Sequence, residues 1–126
     1  MNFERIVPSN GPAAVGPYSP GVKVGDWLYV SGQIPLQPDG ELVTDTFEKE
    51  ARQVLDNLKS VVEAAGGRLE QIVKVGIYVT DISRFAELNS IYAEYFDDSK
   101  PARSTVEVSH LPKGAHVEMD AIAYLG

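Results

Sequence analysis

Apolar residues recur along this chain with two different periods. Over Trp27–Ile34, Leu28, Val30, Gly32 and Ile34 alternate with Trp27, Tyr29, Ser31 and Gln33, the period of a strand whose successive side chains point to opposite faces. Both sets contain large side chains, so both faces of that strand need cover. Over Phe47–Ala65 the spacing changes, and Ala51, Val54, Leu55, Leu58, Val61, Val62 and Ala65 fall three or four residues apart on one helical stripe. Asp45 or Thr46 is placed to cap this helix, Asp45 with Glu48 resembles a capping box, and Gly66-Gly67 can end it.

Strand spacing returns over Gln71–Ile82, "QIVKVGIYVTDI". Strand, helix and strand in that order invite a crossover onto one sheet. Ser83 stands ahead of a second helix, "RFAELNSIYAEYF", whose Phe85, Leu88, Ile91, Tyr92, Tyr95 and Phe96 form an apolar and aromatic stripe with Asn89 beside it. "RSTVEV" and "HVEMDAIAYL" alternate on either side of the loop "SHLPKGA" and predict two late strands. Between Pro8 and Pro20 the run "GPAAVGPYSP" is dense in Pro and Gly, which predicts a rigid loop holding Tyr18. Asp39-Gly40 marks a hairpin-type turn.

Together these elements predict an α+β fold over residues 1–126: one domain, a mixed sheet of five to six strands, and two helices on one face. The opposite face is then left with Trp27, Tyr29 and Tyr78 and no helix to cover them, which predicts a homo-oligomer.

Composition narrows the function. A chain of 126 residues, 44% hydrophobic, can build one core. Eleven basic against 18 acidic residues give a net charge of −7, a surface that repels phosphate backbones, so nucleic acid is not an expected partner. The absence of cysteine excludes disulfides, thiolate nucleophiles and sulfur-ligated metal. No basic leader precedes an apolar run and no apolar run is long enough to span a bilayer, so no membrane partner is expected and the expected location is cytoplasmic. His110 and His116 flank the late loop as solvated residues; there is no metal-ligand spacing, phosphate loop or Ser-His-Asp signature, and metal is not expected.

Candidate chemistry therefore falls on polar groups beside turn-rich segments: Tyr18, Ser31, Arg103, Thr105, Glu107 and Glu118. In a strand Arg103 shares a face with Thr105 and Glu107. It has two readings. Either it is paired inside the protein, with Glu107 or Glu118, or its planar guanidinium stays vacant to receive a substrate carboxylate through two parallel hydrogen bonds.

Four blocks, "GPYSPGVKVGDWLYVSGQIP", "QVLDNLKSVVEAAGG", "IVKVGIYVTDISRFAELN" and "PARSTVEVSHLPKGAHVEMDAIA", resemble in order the Rid (YjgF-type) family of reactive-intermediate deaminases across nearly the whole chain. The resemblance implies a chorismate-mutase-like fold, a homotrimer with clefts between subunits, and no cofactor. It implies hydrolysis of 2-iminobutanoate and 2-iminopropanoate, the tautomers of 2-aminocrotonate and 2-aminoacrylate, to 2-keto acids and ammonia. By motif position it implies Arg103 as the carboxylate anchor, Glu118 as the water-handling acid and Tyr18 as the loop tyrosine, with Ser31, Gly32, Asn89 and Thr105 lining the cleft. The set suits the chemistry, since a 2-imino acid needs an anchor for its carboxylate and a water aimed at the C=N carbon.

Thr105 stands where many relatives carry cysteine, and a threonine with no adjacent base is a poor nucleophile, so water is the expected one. Two other readings remain open: a non-catalytic module that binds a small carboxylate, which predicts binding without rate enhancement, and a ribonuclease, against which the charge counts.

Overall fold

The computed structural model describes residues 3–126 and arranges them as one sheet backed by two helices. Six strands, β1 (Phe3–Ile6), β2 (Gly21–Val24), β3 (Trp27–Gln33), β4 (Ile72–Val79), β5 (Ala102–Glu107) and β6 (Val117–Tyr124), lie in the order β1-β2-β3-β6-β4-β5. Only β4 and β5 pair in parallel, so the sheet is mixed, as predicted. β3 and β4 both run antiparallel to β6 between them, hence parallel to each other, and α1 (Phe47–Ala64) is the crossover that joins them. α2 (Phe85–Phe96) makes a second crossover, from β4 to β5.

α1 forms where the stripe placed it. Its cap is Thr46, which accepts a hydrogen bond from the Lys49 amide at 3.1 Å. Asp45 and Glu48 do not form the expected box: Asp45 pairs with the Lys49 ammonium and Glu48 with Arg52. At the far end Gly66 takes φ +87°, its amide donates to the Glu63 carbonyl at 3.0 Å, and the Gly67 amide donates to Val62 at 2.9 Å. That pair of hydrogen bonds, with Gly66 in the left-handed region, is the Schellman stop. Ala51, Val54, Leu55, Leu58, Val61 and Val62 are all buried against Leu28, Val30, Val75, Ile77, Met119 and Ala121 of the sheet.

The start of α2 differs from the prediction. Asp81 accepts from both the amide and the hydroxyl of Ser83, a short 3-10 turn follows over Ile82–Arg84, and Arg84 precedes the helix without a side-chain cap bond. Asp81, two residues upstream, does the capping itself: its carboxylate accepts the Ser83 amide and also accepts from the Ser83 hydroxyl. Leu88, Ile91, Tyr92 and Phe96 go into the core.

Among the described residues no helix covers the face away from α1 and α2. Trp27, Tyr29, Val106 and Tyr124 are each 43–50% exposed there, an apolar patch of the kind that marks an association surface. His116 is not merely solvated: its ring nitrogen lies 2.7 Å from Glu50, a carboxylate buried at the base of α1 that also accepts from the His116 amide. No helix among the described residues is long and apolar enough to cross a membrane.

Candidate functional site

On the uncovered face, the Pro-rich loop, β3 and β6 enclose a cleft of about 340 Å³ lined by Val15, Tyr18, Ser31, Gly32, Ile34, Pro112 and Glu118. Ser31 builds one wall. Its amide donates to the Pro20 carbonyl at 2.9 Å and its hydroxyl to the Ser19 carbonyl at 2.6 Å, so the loop is pinned to β3 and Ser31 keeps only lone pairs for a ligand. Within the loop the Val15 amide reaches the Tyr18 hydroxyl at 3.4 Å, which curls the segment round the ring. Gly32 is needed for a steric reason: a Cβ there would come within 2.1 Å of a Glu118 carboxylate oxygen. The glycine lets that carboxylate lie flat on the β3 backbone.

Glu118 is half-buried, and burial first, then the neighbouring Asp120, push its carboxyl above the usual carboxylate range. No donor among the described residues reaches it. Asp120 instead receives the Tyr78 hydroxyl at 3.0 Å.

A second cleft, of about 220 Å³, opens between α2 and the edge strand β5 and includes Asn89, Tyr92, Lys100, Pro101 and Arg103. The Arg103 guanidinium carbon lies 4.9 Å from the Tyr92 ring centre and 5.4 Å from that of Phe85, within cation–π range of both. No carboxylate among the described residues pairs with it. Glu107 is engaged elsewhere, accepting from the Ile82 amide at 2.9 Å. Beneath the guanidinium the Tyr92 hydroxyl is buried with no partner, and burial pushes it up to about 12 while the Arg103 charge pulls the other way. The Thr105 hydroxyl is buried and unpartnered as well.

The two clefts lie on opposite sides of the sheet. Arg103 is in register with Val75 and Thr105 with Ile77, both buried beneath the helices, whereas Glu118 is opposite Tyr78, whose side chain points the other way. Residues directly opposite in a ladder share a face. One chain therefore gathers Tyr18, Ser31, Gly32 and Glu118 in one place and Asn89 and Arg103 in another, with Thr105 two residues along the strand from Arg103. The seats of these groups were not foreseen. Phe85 and Tyr92 stand seven apart on the α2 stripe, and it takes the β4–β5 register to set Arg103 against both rings. Among the described residues no three His, Asp or Glu side chains are grouped to hold a metal ion.

The family model described as Endoribonuclease L-PSP matches residues 8–125. A RutC family protein of Pyrococcus horikoshii is 48% identical over 122 residues, 96% of this chain and 97% of that one. A 2-iminobutanoate/2-iminopropanoate deaminase of Salmonella typhimurium is 44% identical over 123 residues, 95% of this chain and 96% of its own. Among solved structures, YyfA of Yersinia pestis, described as a protein of unknown function of the conserved Rid family, aligns with a TM-score of 0.94 at 48% identity, covering 98% of this chain and 99% of that one. TdcF of E. coli with bound serine aligns at 0.92 and 38%, with the same coverage. With matches that run nearly end to end in sequence and in fold, the chain belongs to the YjgF/Rid family.

Proposed function

We propose that this protein hydrolyses small 2-imino acids, 2-iminobutanoate and 2-iminopropanoate, to 2-keto acids and ammonia, in clefts formed between the copies of a homotrimer. The observation that carries the reading is the vacant guanidinium of Arg103. On a chain of net charge −7, an arginine seated on two aromatic rings and paired with no acid is an anchor for an anion that arrives from outside. The deaminase of Salmonella typhimurium supports the substrate class, and the serine bound by TdcF supports a small carboxylate as the ligand of this fold.

Arg103 takes the substrate carboxylate through two parallel hydrogen bonds, with Asn89 beside it. The C=N carbon then faces the Glu118 cleft of a neighbouring copy. Glu118 holds the attacking water and moves its protons, Tyr18 closes the cleft from the loop, and Ser31 and Gly32 form its floor. Thr105 contributes its place beside Arg103, and water is the nucleophile. The apolar face of Trp27, Tyr29, Val106 and Tyr124 is the surface that a second copy covers.

The test couples the protein to a threonine dehydratase that generates enamine in place and follows 2-ketobutyrate. Wild type speeds keto-acid formation and Arg103→Ala does not; equal rates with and without the wild-type protein overturn the reading. The family model's description favours a ribonuclease as the second reading. RNA cleavage by highly purified protein that survives Arg103→Ala would establish it.

A further inference from the structure

On the uncovered face β6 presents two carboxylates, Glu118 and Asp120, two residues apart. Each lies on a glycine of a flanking strand. A Cβ at Gly32 of β3 would come 2.1 Å from a Glu118 oxygen, and one at Gly76 of β4 would come 2.5 Å from an Asp120 oxygen. The two glycines keep both acids down on the sheet, where an ordinary strand side chain would lift them toward water. Tyr78 stands directly opposite Glu118 in the β4–β6 register, yet its hydroxyl donates to Asp120. A donated phenol hydrogen bond stabilises a carboxylate in its charged form. Glu118 is left without a donor among the described residues.

A carboxylate near another on one strand face disfavours its neighbour's ionisation. We propose that Asp120 and Tyr78 are positioning residues for Glu118: Asp120 takes the Tyr78 hydroxyl and leaves Glu118, beside it on the strand face, without a donor, so that Glu118 is the carboxyl that exchanges protons with the substrate and acts first as an acid. Burial and the Asp120 charge favour the proton on Glu118, in that order. The titratable groups around it are Asp120 on its own strand, Tyr78 from β4 and Tyr18 from the loop. Lys74 of β4 lies farther along the face, level with Ile122, with its ammonium 3.2 Å from the Ser104 hydroxyl. Arg103 of a neighbouring copy, once it binds substrate, is neutralised by the carboxylate it holds.

The chemistry rests on the deaminase reading, and its protons balance. The Glu118 carboxyl protonates the imine nitrogen; water adds to the carbon and returns a proton to Glu118. The carboxyl next protonates the amine of the carbinolamine; the C–N bond breaks, ammonia leaves, and the hydroxyl proton of the forming ketone goes back to Glu118.

The test titrates full-length protein labelled with 13C at glutamate carboxyls, the Glu118 signal being identified by its loss in Glu118→Gln. Wild type is expected to titrate at higher pH than Asp120→Asn, with Asp120→Glu restoring the wild-type midpoint. In the dehydratase-coupled assay, Asp120→Asn is expected to move the alkaline limb of kcat to lower pH and to reduce kcat about tenfold beyond that limb, with KM little changed. Equal Glu118 midpoints in wild type and Asp120→Asn overturn the proposal. Should Asp120→Asn fail to fold, Tyr78→Phe, which removes the hydrogen bond to Asp120, serves instead: the Glu118 midpoint is expected to move from the wild-type value, whereas an unchanged midpoint overturns the proposal. The titration uses no turnover, so shifted midpoints in a protein without deaminase activity overturn only the deaminase reading.

Discussion

Arg103 is held by rings and not by acids, and this decides how it can be disturbed. Phe85 and Tyr92 fix the guanidinium from α2 while leaving its five donors unspent. Losing one ring contact is worth about 0.5–2 kcal/mol, so Tyr92→Leu should weaken 2-ketobutyrate binding roughly 2- to 30-fold in calorimetry. Tyr92→Phe keeps the ring and removes an unpartnered buried hydroxyl, so it should bind as wild type and melt no lower. Binding lost equally in both variants would mean that the hydroxyl, and not the ring, matters. Two residues along the same strand face, Thr105 sets a cleaner test of the nucleophile. On the proposed route, in which water and not a side chain attacks, Thr105→Cys should change kcat by less than about twofold. A large gain that a thiol-alkylating reagent then abolishes would show that a covalent route can operate.

Helix α1 shows what local pattern alone can specify. Its stripe, its Thr46 cap and its Gly66 stop are each local signals, and all three agree with the packing they meet. Thr46→Ala should cost about 1 kcal/mol. Gly66→Ala, which asks an alanine to hold φ +87°, should also cost about 1 kcal/mol. Lying at opposite ends of the helix, the two should add in urea unfolding. Short elements were illegible for the converse reason. β1 and β2 have four residues each, too few alternations to separate a strand from a loop, and only pairing to β3 makes them strands. The cap of α2 was misplaced because Ser83 has capping chemistry, but Asp81 has it too and carries a charge. Between elements, the seat of the Glu118 carboxylate against β3 depends on Gly32. Gly32→Ala should abolish turnover while circular dichroism stays native, since the methyl displaces only the Glu118 carboxylate; retained turnover would show that the carboxylate need not lie there.

At the scale of the whole molecule, the residues of the two clefts could be named as candidates from the sequence, but their separation on opposite faces could not be read there. The four blocks pointed to Arg103 and Glu118, and period 2 said which neighbours share a face with each. Neither says which face of the sheet is which, because that follows from the β4–β5 and β4–β6 registers, set by residues distant in the chain. Those registers put Arg103 under the helices at an edge and Glu118 on the uncovered face, so a single copy cannot present both to one small substrate. In the proposed trimer, each cleft would take Arg103 from one copy and Glu118 from the next. The arrangement makes a quantitative prediction. Arg103→Ala and Glu118→Gln should each be inactive alone, but co-expressed in equal amounts they should recover activity, because a copy with intact Arg103 can sit beside one with intact Glu118. Random assortment puts each requirement at one half, so about one quarter of the clefts should be whole and the mixture should show about one quarter of wild-type kcat. Clefts built within one chain would give no recovery at any ratio, and sedimentation of the same mixture reports whether the copies assembled in threes.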